Sequence, residues 1–278
     1  MRWTRMTLAS HVVDLQEYVD SFEQSVRSLL SVADDLDPED WRRPTDLPGW
    51  SVHDVVSHLA AVEHELLVGE PPPALATYGA HVRDAFGQHM ERGVAARRGR
   101  PSDDVVAELR SCLEQRLPQL RAMRADEPPT RVVAGEDWDA TELLRNRAFD
   151  SWMHEQDVRR AVTRPGNLDG PGALVTKEML LGALPVLVAR RADAVAGQSL
   201  RLESTGALDF SGDVVIGADG RGALSRVPIE DPTAIVRADW ETWVRLLGGR
   251  MSPSDAVVEM DGDRGLAQRL VDGLCFTP

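Results

Sequence analysis

The sequence predicts a helical bundle over residues 1–168, followed by a small α+β domain over residues 169–278. In the first part, apolar residues recur at steps of three and four, which is the spacing of one face of a helix. Beyond Gly172, short β-like runs alternate with helical stretches and are separated by Gly and Asp turns. The length of 278 residues is enough for two domains.

Five helical stretches are predicted for the first domain. They cover about Ser10–Leu30, a helix starting at Ser51, then Tyr78–Ala96, Ser102–Met123 and Thr141–Thr163. Ser51 and Asp54 form an S-x-x-D start signal, and the apolar stripe that follows is Val55, Leu59, Val62 and Leu66. A Pro-Ser-Asp-Asp cap is expected at the start of the fourth stretch, and Pro165-Gly166 stops the fifth.

The second domain is predicted to mix helices and short strands. The expected helices are Leu174–Arg190, Trp240–Leu247 and Gly265–Leu274. The expected strands are Leu200–Glu203, Val214–Ile216, Ala234–Arg237 and Ala256–Glu259.

Composition narrows the class of protein. A formal net charge of −14 argues against a general nucleic-acid binder, which needs a surplus of Lys and Arg on one face. We find no apolar run of about 18 residues that suits a bilayer and no signal peptide in Met1–Ala9, so a soluble cytoplasmic monomer or homodimer without a membrane partner is expected. Cys112 and Cys275 have no Cys-x-x-Cys spacing, so any reactive thiol is expected to come from outside the chain.

The fifth helical stretch carries polar residues in the middle of its buried stripe. Rotation by about 100° per residue puts Arg147, Asp150, His154 and Val158 along one line. A carboxylate and an imidazole four residues apart project from one face, which lets a rigid helix offer two ligands to one cation. A simple ion pair between Asp150 and His154 is the alternative.

His58 is the candidate third ligand. It lies three residues after Val55 and four before Val62, beside the apolar stripe, whereas His53 and His64 fall on the solvent-facing side. A satisfied core histidine is the alternative. Asp157 is expected either to accept from the second imidazole nitrogen of His154 or to hold Arg147.

Two segments resemble the mycothiol-dependent maleylpyruvate isomerase family, a DinB-like group. They are Leu47-Pro48-Gly49-Trp50-Ser51-Val52 with the following Val56-Ser57-His58-Leu59-Ala60, and Arg147-Ala-Phe-Asp150-Ser-Trp152-Met-His154-Glu155-Gln-Asp157. The region from Val257 to Leu274 resembles the family's sterol-carrier-like domain. The resemblance implies a DinB-like four-helix bundle with a sterol-carrier-like α+β domain appended.

The resemblance also implies a site and its cofactors. A divalent metal, with zinc expected, would be held by His58, Asp150 and His154, and the thiol mycothiol would supply the nucleophile to a small-molecule substrate. This chain departs from the family pattern at Asp150, where the isomerases have Glu. Arg250 is the candidate for binding an anionic substrate or the cofactor carboxylate, with Arg237 behind it; a surface role is the alternative for each.

Three functions are consistent with these residues. The leading one is a metal-dependent enzyme in which the metal favours the cofactor thiolate, acting as a maleylpyruvate isomerase-like cis–trans isomerase or a thiol S-transferase. The second is a non-catalytic ligand-binding or regulatory protein on the same fold. The third is a purely structural metal, which four protein ligands would indicate.

Overall fold

The computed structural model describes residues 14–275, which form two compact units, residues 14–175 and residues 176–275. Met1–Ala9 and the predicted start of the first helix at Ser10 lie outside the described residues.

The first unit is a helical bundle. Its helices are α1 (Leu15–Ala33), α2 (Val52–Val68), α3 (Ala85–Ala95), α4 (Ser102–Arg121) and α5 (Ala140–Ala161). Helix α1 packs against α4 and α5, while α2 packs against α3, α4 and α5. Four long helices therefore enclose one core, and the shorter α3 lies against α2.

Helix α2 begins where the sequence predicts. The Ser51 side chain accepts from the Asp54 N–H and the Asp54 carboxylate accepts from the Ser51 N–H, which is a complete capping box. Gly69 ends the helix with a φ of 82°, a conformation that suits glycine. The predicted stripe is confirmed, because Val55, Leu59, Val62 and Leu66 are all buried.

Two details of the predicted helices are wrong. Helix α3 begins at Ala85 rather than Tyr78, because the Asp84 side chain caps it by accepting from the Gly87 N–H. Helix α4 begins without a side-chain cap: Pro101 occupies the cap position, and Ser102 is already helical.

Helix α5 packs against α1 and α2. Its N-terminus is fixed by a capping box between Asp139 and Glu142, and Arg159 and Arg160 lie in its last turn, where cations suit the helix dipole. Buried residues run along the helix from Ala140 to Val158. A helix enclosed in this way holds its side chains in fixed directions.

The second unit is built on a five-stranded sheet. The chain enters it within α6 (Pro171–Val186), which is followed by a π turn over Leu187–Arg191. The strands are β1 (Ser199–Thr205), β2 (Phe210–Ile216), β3 (Gly222–Leu224), β4 (Ala234–Asp239) and β5 (Glu259–Gly262). Their order is β3-β2-β1-β4-β5, in which β1 and β4 are parallel and the other neighbours antiparallel.

Two helices pack on this sheet. Helix α7 (Trp240–Leu247) contacts β4 and β1, while α8 (Arg264–Asp272) contacts β4 and β5. Leu181 and Leu184 of α6 also lie against the sheet at Gly212, the neighbour of Leu202. Leu200, Leu202 and Val236 of the sheet are fully buried. The predicted mixture of helices and short strands is therefore confirmed.

The two edge strands were the hardest to predict. Strand β3 was missed because it has only three residues, none of them buried. Strand β5 begins at Glu259 rather than Ala256, since Pro253–Asp255 forms a short helical turn that delays the start of pairing. Edge strands lack the buried alternation that marks a strand in a sequence.

One helical segment corrects the expectation that no apolar run suits a bilayer. Residues Pro171–Arg191 are long and apolar enough to cross a membrane by length and composition alone. In its apolar 18-residue window, 56% is buried inside the protein, and core helices of soluble proteins can be equally long and apolar.

Candidate metal centre

The structure brings together His58 of α2 with Asp150 and His154 of α5. One potential ligand atom from each of the three lies within 4.8 Å of the other two. Both histidines are nearly buried, at 4% and 5% exposure, whereas the Asp150 side chain keeps 24%. The group is therefore enclosed by the bundle and reached from the carboxylate side.

The distances within this group fit a small cation. His58 Nε2 lies 3.5 Å from Asp150 Oδ2, and His154 Nε2 lies 3.4 Å from Asp150 Oδ1. Ligand atoms placed at about 2.0–2.2 Å around a tetrahedral zinc are separated by about 3.3–3.6 Å, so each imidazole lies at a suitable distance from one oxygen of Asp150, a different oxygen in each case. Imidazole nitrogen and carboxylate oxygen are also ligands that zinc accepts, so the donor set fits as well as the spacing.

His58 is a buried side chain with unsatisfied ring nitrogens. Neither ring nitrogen makes a hydrogen bond within the described part of the chain. Burial, only partly opposed by Asp150, lowers the pKa of His58, so the ring is neutral and has a lone pair to offer. Because an unsatisfied buried polar group costs free energy, this geometry argues against the satisfied core histidine.

His154 is oriented by a carboxylate on its own helix. Its Nδ1 lies 3.1 Å from Asp157 Oδ2, while Asp157 Oδ1 accepts from Arg160 at 2.6 Å. Burial acts to lower the pKa of His154, but Asp150 and then Asp157 outweigh it, and the pKa is raised. An Nδ1–H donated to Asp157 leaves Nε2 directed at Asp150, as is usual for a metal-binding imidazole.

Asp150 is held by a buried arginine. Arg147 Nη1 donates to Asp150 Oδ2 at 2.8 Å, and Arg147 Nε donates to Glu63 Oε1 at 2.8 Å. Burial acts to raise the pKa of Asp150, but Arg147, His154 and His58 together hold it well below its ordinary value. Of the two roles expected for Asp157, the structure shows the contact with His154, and Arg147 is held instead by Glu63 and Asp150.

Trp50 covers the two imidazoles. Its ring centroid lies 5.1 Å from that of His58 and 6.2 Å from that of His154. Its indole N–H donates to Glu91 Oε2 at 2.9 Å, which fixes the ring across the site. Trp50 is thus a packing residue that contacts the candidate ligands themselves.

Glu63 is the residue of this site that the sequence analysis missed. It is fully buried on α2 and accepts from both Arg116 and Arg147. A signal was present, because Glu63 lies four residues after the buried Leu59 and so falls within the inward half of the helix. By contrast His64, predicted to face solvent, has 46% of its side chain exposed.

The two candidate anion-binding arginines lie in the second unit. Arg237 on β4 forms ion pairs with Glu203 and Asp261 on the neighbouring strands. Arg250 follows α7, and its Nη1 donates to the Gly248 carbonyl at 2.5 Å. Two carboxylates already neutralise Arg237, which makes it a weaker candidate for binding an anion. The anion-binding roles of Arg237 and Arg250 stay predictions.

The two cysteines differ in their environment. Burial raises the pKa of Cys112 to about 11, and Cys275 is exposed in the second unit. At neutral pH we therefore expect a disulfide reagent such as DTNB to modify one thiol of the native protein, Cys275, and two after unfolding. Cys275→Ser should leave no reactive native thiol, and rapid native labelling of Cys112 would contradict this.

Comparison with known proteins relates this architecture to one family. Residues 22–159 match the family model described as the mycothiol maleylpyruvate isomerase N-terminal domain. A crystal structure of a histidine-to-alanine mutant of the mycothiol-dependent maleylpyruvate isomerase is similar over 89% of this chain and 93% of that one, with 16% identity and a TM-score of 0.51. A second structure of that isomerase covers 90% and 93%, with 17% identity and a TM-score of 0.48.

At such identities, the first of these structures supports the fold alone. It confirms the predicted class, a DinB-like bundle followed by an α+β domain. No curated protein sequence matched.

Proposed function

Because this chain belongs, through its helical unit, to the mycothiol maleylpyruvate isomerase family, we propose that it is a metal-dependent enzyme that uses a low-molecular-weight thiol. Membership of this family supports the assignment of a mycothiol-dependent isomerase activity. The finer proposal is a cis–trans isomerase of a maleylpyruvate-like substrate, or a thiol S-transferase, with zinc bound by His58, Asp150 and His154.

One observation carries this proposal: two imidazoles and a carboxylate from two helices converge, and the His58 ring has no hydrogen-bond partner among the residues that the structure describes. Residues buried at a cost to stability are typical of functional sites. A divalent cation there would compensate the buried donors and favour the ionised form of a nearby thiol.

The side chains around the site would hold the cation, orient its ligands and control access to it. His58, Asp150 and His154 would hold the cation, and Asp157 keeps the Nε2 of His154 directed inward. Trp50 covers both imidazoles and limits the access of water. The partial exposure of Asp150 leaves a side from which substrate and thiol can approach.

The number of ligands supports a catalytic rather than a structural metal. Among residues 14–275, the group of candidate ligands comprises three side chains. Structural zinc sites use four protein ligands, whereas catalytic sites use three and leave a position open. A purely structural metal is therefore the less favoured alternative, and no specific contact favours a non-catalytic binding protein.

The test of this proposal combines metal analysis with an assay. Protein purified without chelator should contain about one divalent metal per chain, and thiol-dependent loss of maleylpyruvate absorbance should disappear on chelation and return with zinc. If that substrate is not consumed, mass spectrometry of a thiol conjugate with an electrophile tests the S-transferase. A protein that neither contains metal nor takes up zinc would falsify the proposed enzyme.

A further inference from the structure

A chain of buried charges ends at the candidate ligand Asp150. Glu63, with 1% of its side chain exposed, accepts from Arg116 Nε at 3.2 Å and from Arg147 Nε at 2.8 Å. Arg147, with 2% exposed, then donates through Nη1 to Asp150 Oδ2 at 2.8 Å. The chain crosses the bundle from α4 through α2 to α5.

This arrangement makes the two oxygens of Asp150 unequal. Oδ2 accepts from Arg147, whereas Oδ1 faces His154 Nε2 at 3.4 Å. Carboxylates can bind a cation through one oxygen or through both. We propose that Arg147, held by Glu63, occupies Oδ2 and so restricts Asp150 to one metal-binding oxygen. This inference rests on the metal site of the proposed function.

The planar guanidinium explains why both contacts matter. Arg147 bonds Glu63 through Nε and Asp150 through Nη1, so the plane of the group is fixed by two carboxylates at once. Without Glu63, rotation about the last side-chain bonds would release the contact with Asp150. A lysine has a single nitrogen on a flexible stem and cannot reproduce this geometry.

Restriction to one oxygen has a chemical consequence for the site. Every protein oxygen that binds the cation removes a position for thiol or substrate, and a catalytic site must keep such a position. Both oxygens of Asp150 lie near an imidazole: Oδ1 is 3.4 Å from His154 Nε2, and Oδ2, which Arg147 holds, is 3.5 Å from His58 Nε2. Without Arg147, Oδ2 would therefore also be available to the cation. Arg147 and Glu63 are therefore positioning residues.

Cobalt-substituted protein provides a readout that does not depend on activity. Visible absorption of Co²⁺ is intense at low coordination number and weak at six, so a second carboxylate oxygen should weaken the band. We expect Arg147→Met to lower the band intensity and to weaken Co²⁺ affinity about 10- to 100-fold, the range typical of partners behind metal ligands. Glu63→Gln should act in the same direction with a smaller effect.

Two further variants serve as controls. Arg159 lies on the same helix and pairs with another buried glutamate, Glu155, so Arg159→Met should leave the cobalt spectrum and affinity unchanged. Arg147→Lys keeps the buried positive charge and should still alter the spectrum. If Arg147→Met does not fold, this second variant tests whether Arg147 restricts Asp150 to one metal-binding oxygen. If both Arg147 variants had the spectrum and affinity of the wild type, the inference about Arg147 would be overturned, but the metal site would stand. If the wild-type protein bound no cobalt, the proposed metal site itself would be wrong.

Discussion

Replacement of His58 by leucine is expected to abolish metal binding while leaving the metal-free protein as stable as before, or more stable. Within residues 14–275 the ring makes no hydrogen bond, and its two buried nitrogens are unsatisfied there. An unsatisfied buried polar group costs about 1–3 kcal/mol, and leucine fills a similar volume without that cost. Loss of one ligand of three should weaken the site at least about 100-fold, more than loss of an outer partner does.

Metal titration and urea unfolding measure the two effects separately. Quenching of Trp50 fluorescence by Co²⁺ is a suitable probe, since its ring lies 5.1 Å from that of His58. His64→Leu is the matched control, because this histidine lies on the same helix with 46% of its side chain exposed. If His58→Leu kept its metal but lost stability, His58 would be a structural residue of the core.

Replacement of Trp152 by alanine is expected to lower the free energy of unfolding by about 3–5 kcal/mol. Trp152 is fully buried on α5, and its indole N–H donates to the Asn167 carbonyl at 2.8 Å. It also fills the space beside Gly172, where an added Cβ would lie 2.6 Å from the Trp152 Cβ. Alanine would therefore leave both a cavity and an unpaired carbonyl.

Phenylalanine at the same position separates these contributions. Trp152→Phe keeps most of the ring and loses the hydrogen bond, so we expect a smaller loss of about 1–2 kcal/mol. Denaturant unfolding followed by circular dichroism measures both variants. The metal content of folded Trp152→Phe should equal that of the wild type, because the indole faces Asn167 rather than His154. If both variants were as stable as the wild type, the stabilising role of Trp152 would be contradicted.

The elements that the sequence predicted well are those with strong local signals. Ser51 and Asp54 make the capping box that starts α2, and the stripe from Val55 to Leu66 is buried as its spacing requires. Helix α7 has the predicted bounds, Trp240–Leu247, because Asp239 caps it by accepting from the Thr242 N–H. Local capping and periodicity are fixed by neighbours in the chain, so a sequence displays them.

The features that the sequence did not reveal depend on distant partners. Strand β3 forms because its backbone pairs with β2, and Glu63 is buried because Arg116 and Arg147 reach it from α4 and α5. The local sequence does not identify such partners: the position of Glu63 indicates that it faces inward, but not which arginines reach it, and β3 alone resembles an exposed segment.

For the candidate site, the sequence by itself determined that Asp150 and His154 share a face, because four residues make about one turn of a helix. It did not determine that His58 meets them, that Asp157 orients His154 or that Arg147 is clamped between Glu63 and Asp150. The contacts of His58 with α5 and the contact between Glu63 and Arg147, which are 84 positions apart, exist only when α2 packs against α5. Helical spacing is a local property of the chain, whereas convergence of side chains from two helices is a property of the packed core.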